Sequence, residues 1–390
     1  MFMSRLDDLI RELCPDGVEF KELGDKSLFH FHYGKGNKIP KNGGAYPVYG
    51  CNGIVSSTDT YNCENVSIIG HIGSAGIVNW CSGKAFVTYN GTIADIKDKS
   101  KLDSRYLYYV LLSLNLPTYV KGSQPFLSAS DFAKVRIPIP PLEVQQEIVR
   151  LLDDFTAKTS ELQNKINEEL EARKKQYECY KDMLLNNSEN FIITTIGNIS
   201  ESVTVGIANS ATQAYSETGV TMLRNQNIKE NYLDDNDLIY INNDFSMKYK
   251  NKSLKENDIL VTRTGYPGVA CVVPKKYENA QTFTTLIVRL QDLKKTNPKY
   301  VCYYINSLSG KQYVRKMQSG AAQQNFGATA LSKMPINIPD ITTQNYIVNI
   351  FENFDSTHSK ISMALLSELE SRQKQYEYYR DKLLTFKELK

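Results

Sequence analysis

The 390-residue chain lacks the features of a membrane protein and of a simple polyanion binder. It contains no run of about 18 apolar residues, and its start does not show the basic and then apolar order of a signal peptide. We therefore predict a cytoplasmic protein that does not associate with a membrane. The net charge is only +3, so an overall excess of positive charge is not available to hold nucleic acid. Any nucleic-acid surface must come from how the 46 Lys and Arg residues are placed.

Cysteine and histidine are too scattered to indicate a metal or redox centre. The seven cysteines include no C-x-x-C pair, and we predict that they are free thiols. Cys51, Cys63, His71 and Cys81 could be arranged as a metal quartet, but ligands at such spacings arise by chance in a long chain. The sequence therefore predicts no metal site. The four histidines form no recurrent dyad, and His358 falls on an apolar helix face.

The common catalytic motifs are also missing. The sequence has no Walker A motif. The segment Asn297–Tyr300 superficially matches the Asn/Asp-Pro-Pro-Tyr/Phe hairpin of amine methyltransferases, but it lacks the second proline, and we interpret it as a helix start. Asp16 with Glu19 and Lys21 imitates the acidic pair and lysine of a nuclease at too tight a spacing. We therefore predict that the chain has no catalytic residues.

An internal repeat organises the whole chain. The segment Lys175–Leu185 recurs as Lys374–Leu384, and the match at this offset of 199 extends upstream without a gap to residue 124. Earlier in each half, Ile68–Gly76 resembles Leu260–Gly268 at an offset of 192. Both copies predict a strand followed by a tight Gly-x-x-Gly turn. The chain is therefore expected to alternate twice between a globule and a long helix.

Each globule is predicted to mix short strands with one helix before the long helix. The predicted strands are 66–69, 85–89, 259–261, 270–273 and 284–290, and the predicted helices are 104–114 and 298–308. Phe386–Leu389 repeats the sequence of Phe20–Leu23, as if a third copy began at the end of the chain. This match predicts that the two ends of the chain lie close together.

Apolar and aromatic residues recur every three or four positions after the prolines at 138, 140 and 141, a pattern typical of a coiled-coil seam. The seam comprises Ile148, Leu152, Phe155, Leu162, Ile166, Leu170, Tyr177, Tyr180 and Leu184, and its copy lies 199 positions later. We expect two long helices that pack antiparallel and hold the globules apart. The alternative is that each helix packs only on its own globule. Tyrosine is favoured at protein interfaces, which makes Tyr177, Tyr180, Tyr376 and Tyr379 candidates for binding a partner protein.

Polar and basic residues with glycine or aromatic neighbours cluster in predicted loops of both halves. Arg, Asn and Gln side chains read base edges, and glycine lets the backbone approach phosphate. Each loop taken alone is equally typical of a plain surface turn. The candidates for DNA contact are Lys35, Asn37, Lys38, His71, Gly73, Ser123, Gln124, Arg224, Asn225, Arg263, Thr264, Gly265, Tyr266, Gln323 and Gln324.

Several of these segments together match one known family. They are the Pro-rich run Ile137–Val149 that leads into the helix containing Lys175–Leu185, its copy at 336–384, the loops 122–124 and 320–323, and Cys14–Phe20. On these residues the chain resembles the specificity subunit of type I restriction-modification systems. The second copy departs from the pattern where Asp340–Thr343 replaces Pro141–Val144.

The resemblance implies an α+β protein with two mixed α/β target recognition domains related by a pseudo-two-fold repeat and separated by two long antiparallel coiled-coil helices. The recognition domains would span 1–138 and 188–337, the central helix 139–187 and the distal helix 338–390. Each recognition domain would read one half of a bipartite DNA target, and the chain itself would be non-catalytic.

The resemblance also implies partners. Two modification subunits would supply S-adenosylmethionine and adenine methylation, and two restriction subunits with ATP and Mg could join them. This chain would bind no cofactor. The competing hypothesis is a coiled-coil scaffold that separates two interaction domains without touching DNA.

Overall fold

The computed structural model describes residues 3–36, 43–120, 125–186, 191–208, 212–318 and 325–389. Contacts group the chain into two compact units. The first unit comprises Met1–Ile166 with Leu365–Lys390, and the second comprises Asn167–Ala364. Each unit therefore contains a globule and parts of both long helices. The four-segment division along the sequence stays a prediction.

The globule of the first unit is built around a six-stranded sheet in the order β2-β7-β5-β6-β3-β4. Buried residues of this sheet, of α1 and of α2 form its core with the start of α3. The elements are α1 (Met3–Leu13), β1 (Glu19–Glu22), β2 (Phe29–Tyr33), β3 (Tyr46–Gly50), β4 (Gly53–Thr58), β5 (Cys63–Gly70), β6 (Val78–Val87), β7 (Gly91–Ile96), α2 (Ser104–Ser113), β8 (Arg136–Ile139) and the long helix α3 (Leu142–Asn186).

The globule of the second unit contains two four-stranded sheets, in the orders β10-β19-β16-β17 and β11-β15-β12-β18. Its strands are β9 (Ile192–Thr195), β10 (Ser200–Val205), β11 (Tyr215–Ser216), β12 (Val220–Leu223), β13 (Ile228–Lys229), β14 (Tyr232–Leu233), β15 (Ile239–Ile241), β16 (Ile259–Val261), β17 (Ala270–Val272), β18 (Gln281–Thr282), β19 (Leu286–Leu290) and β20 (Pro335–Ile338). Its helices are α4 (Ile196–Ile199), α5 (Asn243–Lys248), α6 (Pro298–Ile305), α7 (Leu308–Met317), α8 (Ala328–Ser332) and the long helix α9 (Ile341–Leu383).

The predicted strands and helices are confirmed as elements with ends shifted by up to three residues, except that the predicted strand 85–89 covers only the end of β6, which begins at Val78. The segment with Asn297 and Pro298 is indeed a helix start. Pro298 is the first residue of α6, and the Asn297 side chain caps the helix by accepting hydrogen bonds from the amides of Lys299 and Tyr300. None of the described helices is both long and apolar enough to cross a membrane.

The two long helices are antiparallel, as predicted. In the first unit the ring of Phe155 on α3 stacks on Tyr379 of α9, with 6.2 Å between ring centroids. In the second unit the ring of Tyr177 on α3 stacks on Phe354 of α9 at 5.5 Å. Later residues of α3 thus meet earlier residues of α9. The predicted seam positions supply these contacts in both units.

The internal repeat is visible in the strand that leads into each long helix. β8 pairs antiparallel with β1, and Ile139 lies opposite Glu19. β20 pairs antiparallel with β9, and Ile338 lies opposite Ile192. These residue pairs occupy corresponding positions of the repeat, so the register is the same in both units.

The last described residues pair with Val18, which follows α1 in the first unit. Val18 forms a parallel bridge with Glu388. The Val18 amide donates to the Lys387 carbonyl at 2.9 Å, and the Leu389 amide donates to the Val18 carbonyl at 3.0 Å. The Arg136 guanidinium adds an ion pair with Glu388 at 2.5 Å. The prediction that the two ends of the chain lie close together is confirmed.

Helix α1 distinguishes the first unit from the second. It packs into the core through Leu6, and Arg5 lies 3.8 Å from the carboxylate of Glu147 on α3. Glu147 is 4% exposed, whereas the corresponding residue of α9, Tyr346, is 67% exposed. One face of the long helix is therefore covered in the first unit and exposed in the second.

Candidate nucleic-acid interface

A glycine-rich turn occupies the same place in both units. Gly73 and Gly76 have φ angles of 80° and 87°, and Gly265 and Gly268 have φ angles of 77° and 90°. This left-handed region is open to glycine without a steric penalty. In both turns the amide of the last glycine donates to the carbonyl six positions earlier, at 2.8 Å and 2.9 Å. The predicted Gly-x-x-Gly turns are thus confirmed and have the same hydrogen bonding.

Each turn is held beside a later loop of its own unit. The His71 carbonyl accepts a hydrogen bond from the Leu127 amide at 2.9 Å, and the Arg263 carbonyl accepts one from the Phe326 amide at 3.0 Å. Short antiparallel bridges at 72 with 126 and at 264 with 325 continue the pairing. His71 and Arg263 are therefore corresponding residues of the repeat, each set where two loops meet.

A groove of about 730 Å³ lies beside this junction in the second unit. It brings together residues that are far apart in the sequence, including five of the predicted DNA contacts, Arg224, Asn225 and Thr264–Tyr266. The lining comprises Tyr215, Arg224, Asn225, Gln226, Ile228, Lys229, Glu230, Thr262, Thr264, Gly265, Tyr266, Val269, Phe283 and Thr284.

Asn225 connects the walls of this groove. Its side-chain amide donates to the Thr264 hydroxyl at 3.0 Å, and its side-chain oxygen accepts from the Thr285 hydroxyl at 3.1 Å. Both ends of the amide are thus engaged within the protein, which positions the Gly-x-x-Gly turn next to the loop that carries Arg224. Its contact with DNA stays a prediction.

Arg224 is paired with an acid that the sequence did not single out. Its Nη2 donates to the Asp237 carboxylate at 2.9 Å and also to the Asp237 carbonyl. The Gln226 side chain donates to the same carboxylate at 2.8 Å. These hydrogen bonds, with the charge of Arg224, hold the pKa of Asp237 below its usual value. The acid was missed because it approaches through an irregular loop.

Tyr266 lines the groove, and Arg263 lies between two of its lining residues, Thr262 and Thr264. The Arg263 Nε donates to the Asn325 side chain at 2.9 Å, which fixes the guanidinium beside the later loop. Tyr266, at the tip of the turn, is 85% exposed. An exposed ring on a glycine turn is available for stacking or for contact with a sugar. A Cβ at Gly265 would meet no atom within 4 Å, so the turn has open space around it.

Thr284, also in the lining, has a φ angle of 53°. A β-branched residue is an outlier in the left-handed region, and such strain is concentrated at functional sites. Its amide is held by the Ile207 carbonyl at 3.0 Å. Backbone conformation cannot be read from residue types here, so sequence reasoning could not have found this residue.

The corresponding position in the first unit holds an aromatic cluster. His71 is buried among the rings of Tyr33, Tyr89 and Phe126, at centroid distances of 4.4, 5.3 and 5.8 Å. Burial lowers the pKa of His71, and its Nδ1 lies 3.3 Å from the Thr92 hydroxyl. The three rings are partly exposed and present a stacking surface next to the turn.

Of the other predicted contacts in the first unit, Lys35 and Gly73 are exposed. The Lys35 amide donates to the Val87 carbonyl at 2.9 Å, which places this lysine near the aromatic cluster. The remaining predicted residues lie outside the described residues, and their assignment stays a prediction. They are Asn37, Lys38, Ser123, Gln124, Gln323 and Gln324.

Two of the cysteines considered as metal ligands are part of the core of the first unit. Cys63 and Cys81 are buried in the six-stranded sheet, where their thiols lie 3.4 Å and 3.2 Å from the carbonyls of Ala85 and Gly83. All seven cysteines are free, as predicted. The described residues contain no group of three or more His, Cys, Asp or Glu side chains arranged to hold a metal ion.

The tyrosines predicted to bind a partner differ in exposure. The Tyr177 hydroxyl donates to the Phe351 carbonyl at 3.4 Å, and Tyr376 and Tyr379 pack against α3 within the first unit. Tyr180 is exposed. Three of the four thus join the two long helices, and Tyr180 presents its ring to solvent. Their role in partner binding stays a prediction.

Two segments of the chain match one protein-family model. The family model described as "Type I restriction modification DNA specificity domain" matches residues 15–172 and again 193–371. The chain belongs to this specificity family. The two matches fall in the two halves of the internal repeat, so each half corresponds to one copy of the family's domain.

Members of the family resemble the chain along most of its length. An Escherichia coli protein, the type I restriction enzyme EcoR124I/EcoR124II specificity subunit, is 30% identical over 304 residues, covering 74% of this chain and 72% of the relative. A Haemophilus influenzae protein designated type I specificity subunit S.HindORF215P is 29% identical, covering 88% of this chain and 89% of the relative.

A solved structure supports the fold of this family member. The structure, described in a study of the "complex assembly" and "conformational transition of the type I R-M system", matches with a TM-score of 0.74 and 14% identity, covering 95% of this chain and 98% of the other. At this identity the likeness concerns the fold alone. The α+β architecture with two sheet-rich globules and two long helices is therefore that of the family.

Proposed function

We propose that the chain selects the DNA sequence on which a type I restriction-modification complex acts. Each unit would bind one half of a bipartite duplex target through the junction of its Gly-x-x-Gly turn and its later loop. The observation that carries the proposal is the equivalence of His71 and Arg263, which stand at the same junction in both units. One architecture with different side chains is what two domains need in order to read two different half-sites.

The residues at the two junctions suit contact with a duplex. Arg224 and Tyr266 in the groove, with Arg263 beside the later loop, supply donors and an aromatic ring in the second unit. The aromatic cluster around His71 supplies stacking surface in the first. Bidentate contacts from such donors discriminate a base pair by about 1 to 3 kcal/mol. The modest net charge of the chain then fits recognition that is divided between two small surfaces.

The chemistry would belong to partner subunits. We assign S-adenosylmethionine to two modification subunits that bind the long helices, with exposed residues such as Tyr180 as contacts. Where a restriction activity is present, two ATP- and Mg-dependent restriction subunits would join the complex. The chain itself would bind no cofactor, carry out no catalysis and act on DNA in the cytoplasm.

The test is to co-express the chain with its cognate modification subunit and to map methylated adenines across the host genome. We expect one split motif with two specified halves and an unspecified spacer, and we expect the methylation to disappear when the gene for this chain is deleted. A methylation pattern that does not depend on the chain would contradict the proposal.

A second measurement separates DNA recognition from a scaffold function. The purified complex should shift a duplex that carries the motif, and the affinity should fall steeply as salt rises, because phosphate contacts release counterions. A complex that assembles normally but binds DNA with no such dependence would favour the coiled-coil scaffold that only separates two interaction domains.

A further inference from the structure

Arg224 is a partly buried arginine whose guanidinium is hydrogen-bonded within the protein. Its Nη2 donates to both the carboxylate and the carbonyl of Asp237, and its Nε is buried without a hydrogen-bond partner in the described part of the chain. The Arg224 side chain is only 26% exposed. Of its guanidinium nitrogens, Nη1 makes no hydrogen bond to any described residue and is the group left to meet a ligand.

The loop that carries Asp237 is itself built to place this acid. The buried side chain of Asn227 donates to the carbonyls of Asp234 and Asn236, at 3.2 and 3.1 Å. Asp237 takes a left-handed φ of 54°, and its carboxylate accepts a hydrogen bond from Arg224. The Gln226 side chain donates to Oδ2 of Asp237, the same oxygen that accepts from Arg224. These hydrogen bonds thus connect the loop of Arg224 to the loop of Asp237.

An exposed carboxylate at a DNA surface has two opposite effects. It repels phosphate, which weakens binding to every duplex. It also restricts an arginine to one geometry, which reduces the entropy lost when the guanidinium forms a directed contact. Asp237 is largely exposed, so the first effect operates, and its hydrogen bonds to Arg224 supply the second.

We propose that Arg224 contacts the major-groove edge of a guanine in the half-site read by the second unit, and that Asp237 is the positioning residue that orients it. Guanine is the base inferred because its major-groove edge carries two acceptors side by side, O6 and N7, to which the N–H groups of Nη1 can donate. This inference rests on the proposed function. It goes further by naming the base and by assigning an acid to the specificity of a DNA surface.

The two effects of Asp237 predict opposite changes in affinity and in base discrimination when the acid is removed. Asp237→Ala should strengthen binding to a duplex without the motif, because a negative charge is removed. The same variant should weaken discrimination between the correct guanine and other bases by about tenfold. If Asp237 were only structural, its removal would lower both the affinity for the duplex without the motif and the discrimination between bases.

The measurement uses the assembled complex of this chain with its modification subunit. Affinities are compared for a motif duplex, a scrambled duplex and a motif duplex in which 7-deazaguanine, which lacks the N7 acceptor, replaces each guanine of the half-site in turn. One such replacement should weaken binding by the wild type and leave Arg224→Ala unaffected. Asp235→Ala is the matched control, because Asp235 lies two residues away but pairs with Lys276 and Tyr277.

Three results would overturn the inference. The half-site could contain no guanine, Asp237→Ala could strengthen binding to all duplexes without loss of discrimination, or it could change neither quantity. If Asp237→Ala fails to fold, Arg224→Lys tests the same point, since lysine keeps the charge but has no second nitrogen that could contact the base while the first is held by Asp237. That variant should retain affinity for the scrambled duplex and lose discrimination. Failure of the wild-type complex to bind the motif would instead refute the proposed function.

Discussion

Gln145 and Gln344, which correspond in the repeat, make the same three hydrogen bonds in the two units. The Gln145 side-chain amide donates to the carbonyls of Lys101 and Pro140, at 2.8 and 2.7 Å, and its oxygen accepts from the Asp103 amide at 2.8 Å. Gln344 repeats this pattern at 2.8 to 2.9 Å with the corresponding backbone groups. Both side chains are fully buried. Each ties the first turn of a long helix to the segment before a globule helix.

Gln145→Ala should therefore destabilise the first unit. The substitution leaves backbone groups at Lys101, Asp103 and Pro140 without this partner in a site that is buried at Pro140 and partly buried at the other two, at a cost of about 2 kcal/mol. Urea unfolding followed by circular dichroism measures the loss. Gln146→Ala is the control, since this neighbour is exposed, and it should stay within about 0.5 kcal/mol of the wild type. Equal effects of the two variants would show that the hydrogen bonds do not stabilise the junction.

Leu6→Ala tests whether α1 is an integral part of the first unit. Leu6 is buried in the core, and its truncation should cost about 2 to 5 kcal/mol through lost burial and a cavity. Leu13→Ala, at an exposed position at the end of the same helix, is the matched control and should cost about 0.5 kcal/mol or less. Thermal unfolding of both variants checks this. A harmless Leu6→Ala would mean that α1 packs only loosely.

The repeat and the long helices could be predicted because they depend on local periodicity. Seam residues such as Ile148 and Leu152 recur at helical spacing, and the second copy confirms the register. The turns at Gly73 and Gly265 were also predictable, because glycine is the residue that the left-handed region favours. The difference in exposure between Glu147 and Tyr346 could not be predicted, because it depends on where α1 packs.

The candidate interface was only half predictable, because residue type does not reveal a side chain's partner. Arg224 and Thr264 were singled out, and the structure places them in one groove. Asp237 was missed because an irregular loop brings it to the site. Thr284 was missed because its notable feature is its backbone φ angle, which residue type does not reveal. Asn225 is a further example. Its side-chain amide was expected to face DNA, but it also forms a hydrogen bond that links two loops of the protein.

Arg105 links the first globule to α3, and its loss can be followed through the chain's single tryptophan. The Arg105 guanidinium lies 4.8 Å from the ring centroid of Trp80 and forms an ion pair with Asp153 at 2.7 Å. Arg105→Ala should destabilise the first unit by about 1 to 2 kcal/mol, through the cation–π contact and a partly exposed ion pair. It should also shift the emission of Trp80. Fluorescence during urea unfolding measures both, and Arg11→Ala, at an exposed site on α1, should change neither.

His71 should make the first unit less stable in acid. Burial lowers its pKa from 6.5, so as pH falls below 6.5 the unfolded state binds a proton that the native state still excludes. Stability is therefore present above this value and is lost as pH falls toward the lowered native pKa, by at most about 1.4 kcal/mol per pH unit. His71→Asn should lose less stability than the wild type between pH 7.5 and 5.5, whereas Tyr33→Phe, which keeps the histidine, should follow the wild type. Parallel curves for all three proteins would rule out this role.

Arg263→Ala tests the interface at the residue that corresponds to His71. The Arg263 guanidinium is held by Asn325 at the junction of turn and loop, so its removal should weaken discrimination in one half-site by about 1 to 3 kcal/mol and leave the other half-site unchanged. Methylome sequencing of cells that carry the variant complex would then show relaxed sequence in that half alone. Lys248→Ala removes the same charge from an exposed position at the end of α5, outside the groove, and should leave both half-sites intact. If Arg263→Ala weakened binding equally at every sequence, this arginine would serve as a phosphate contact, because phosphate contacts carry no direct sequence information.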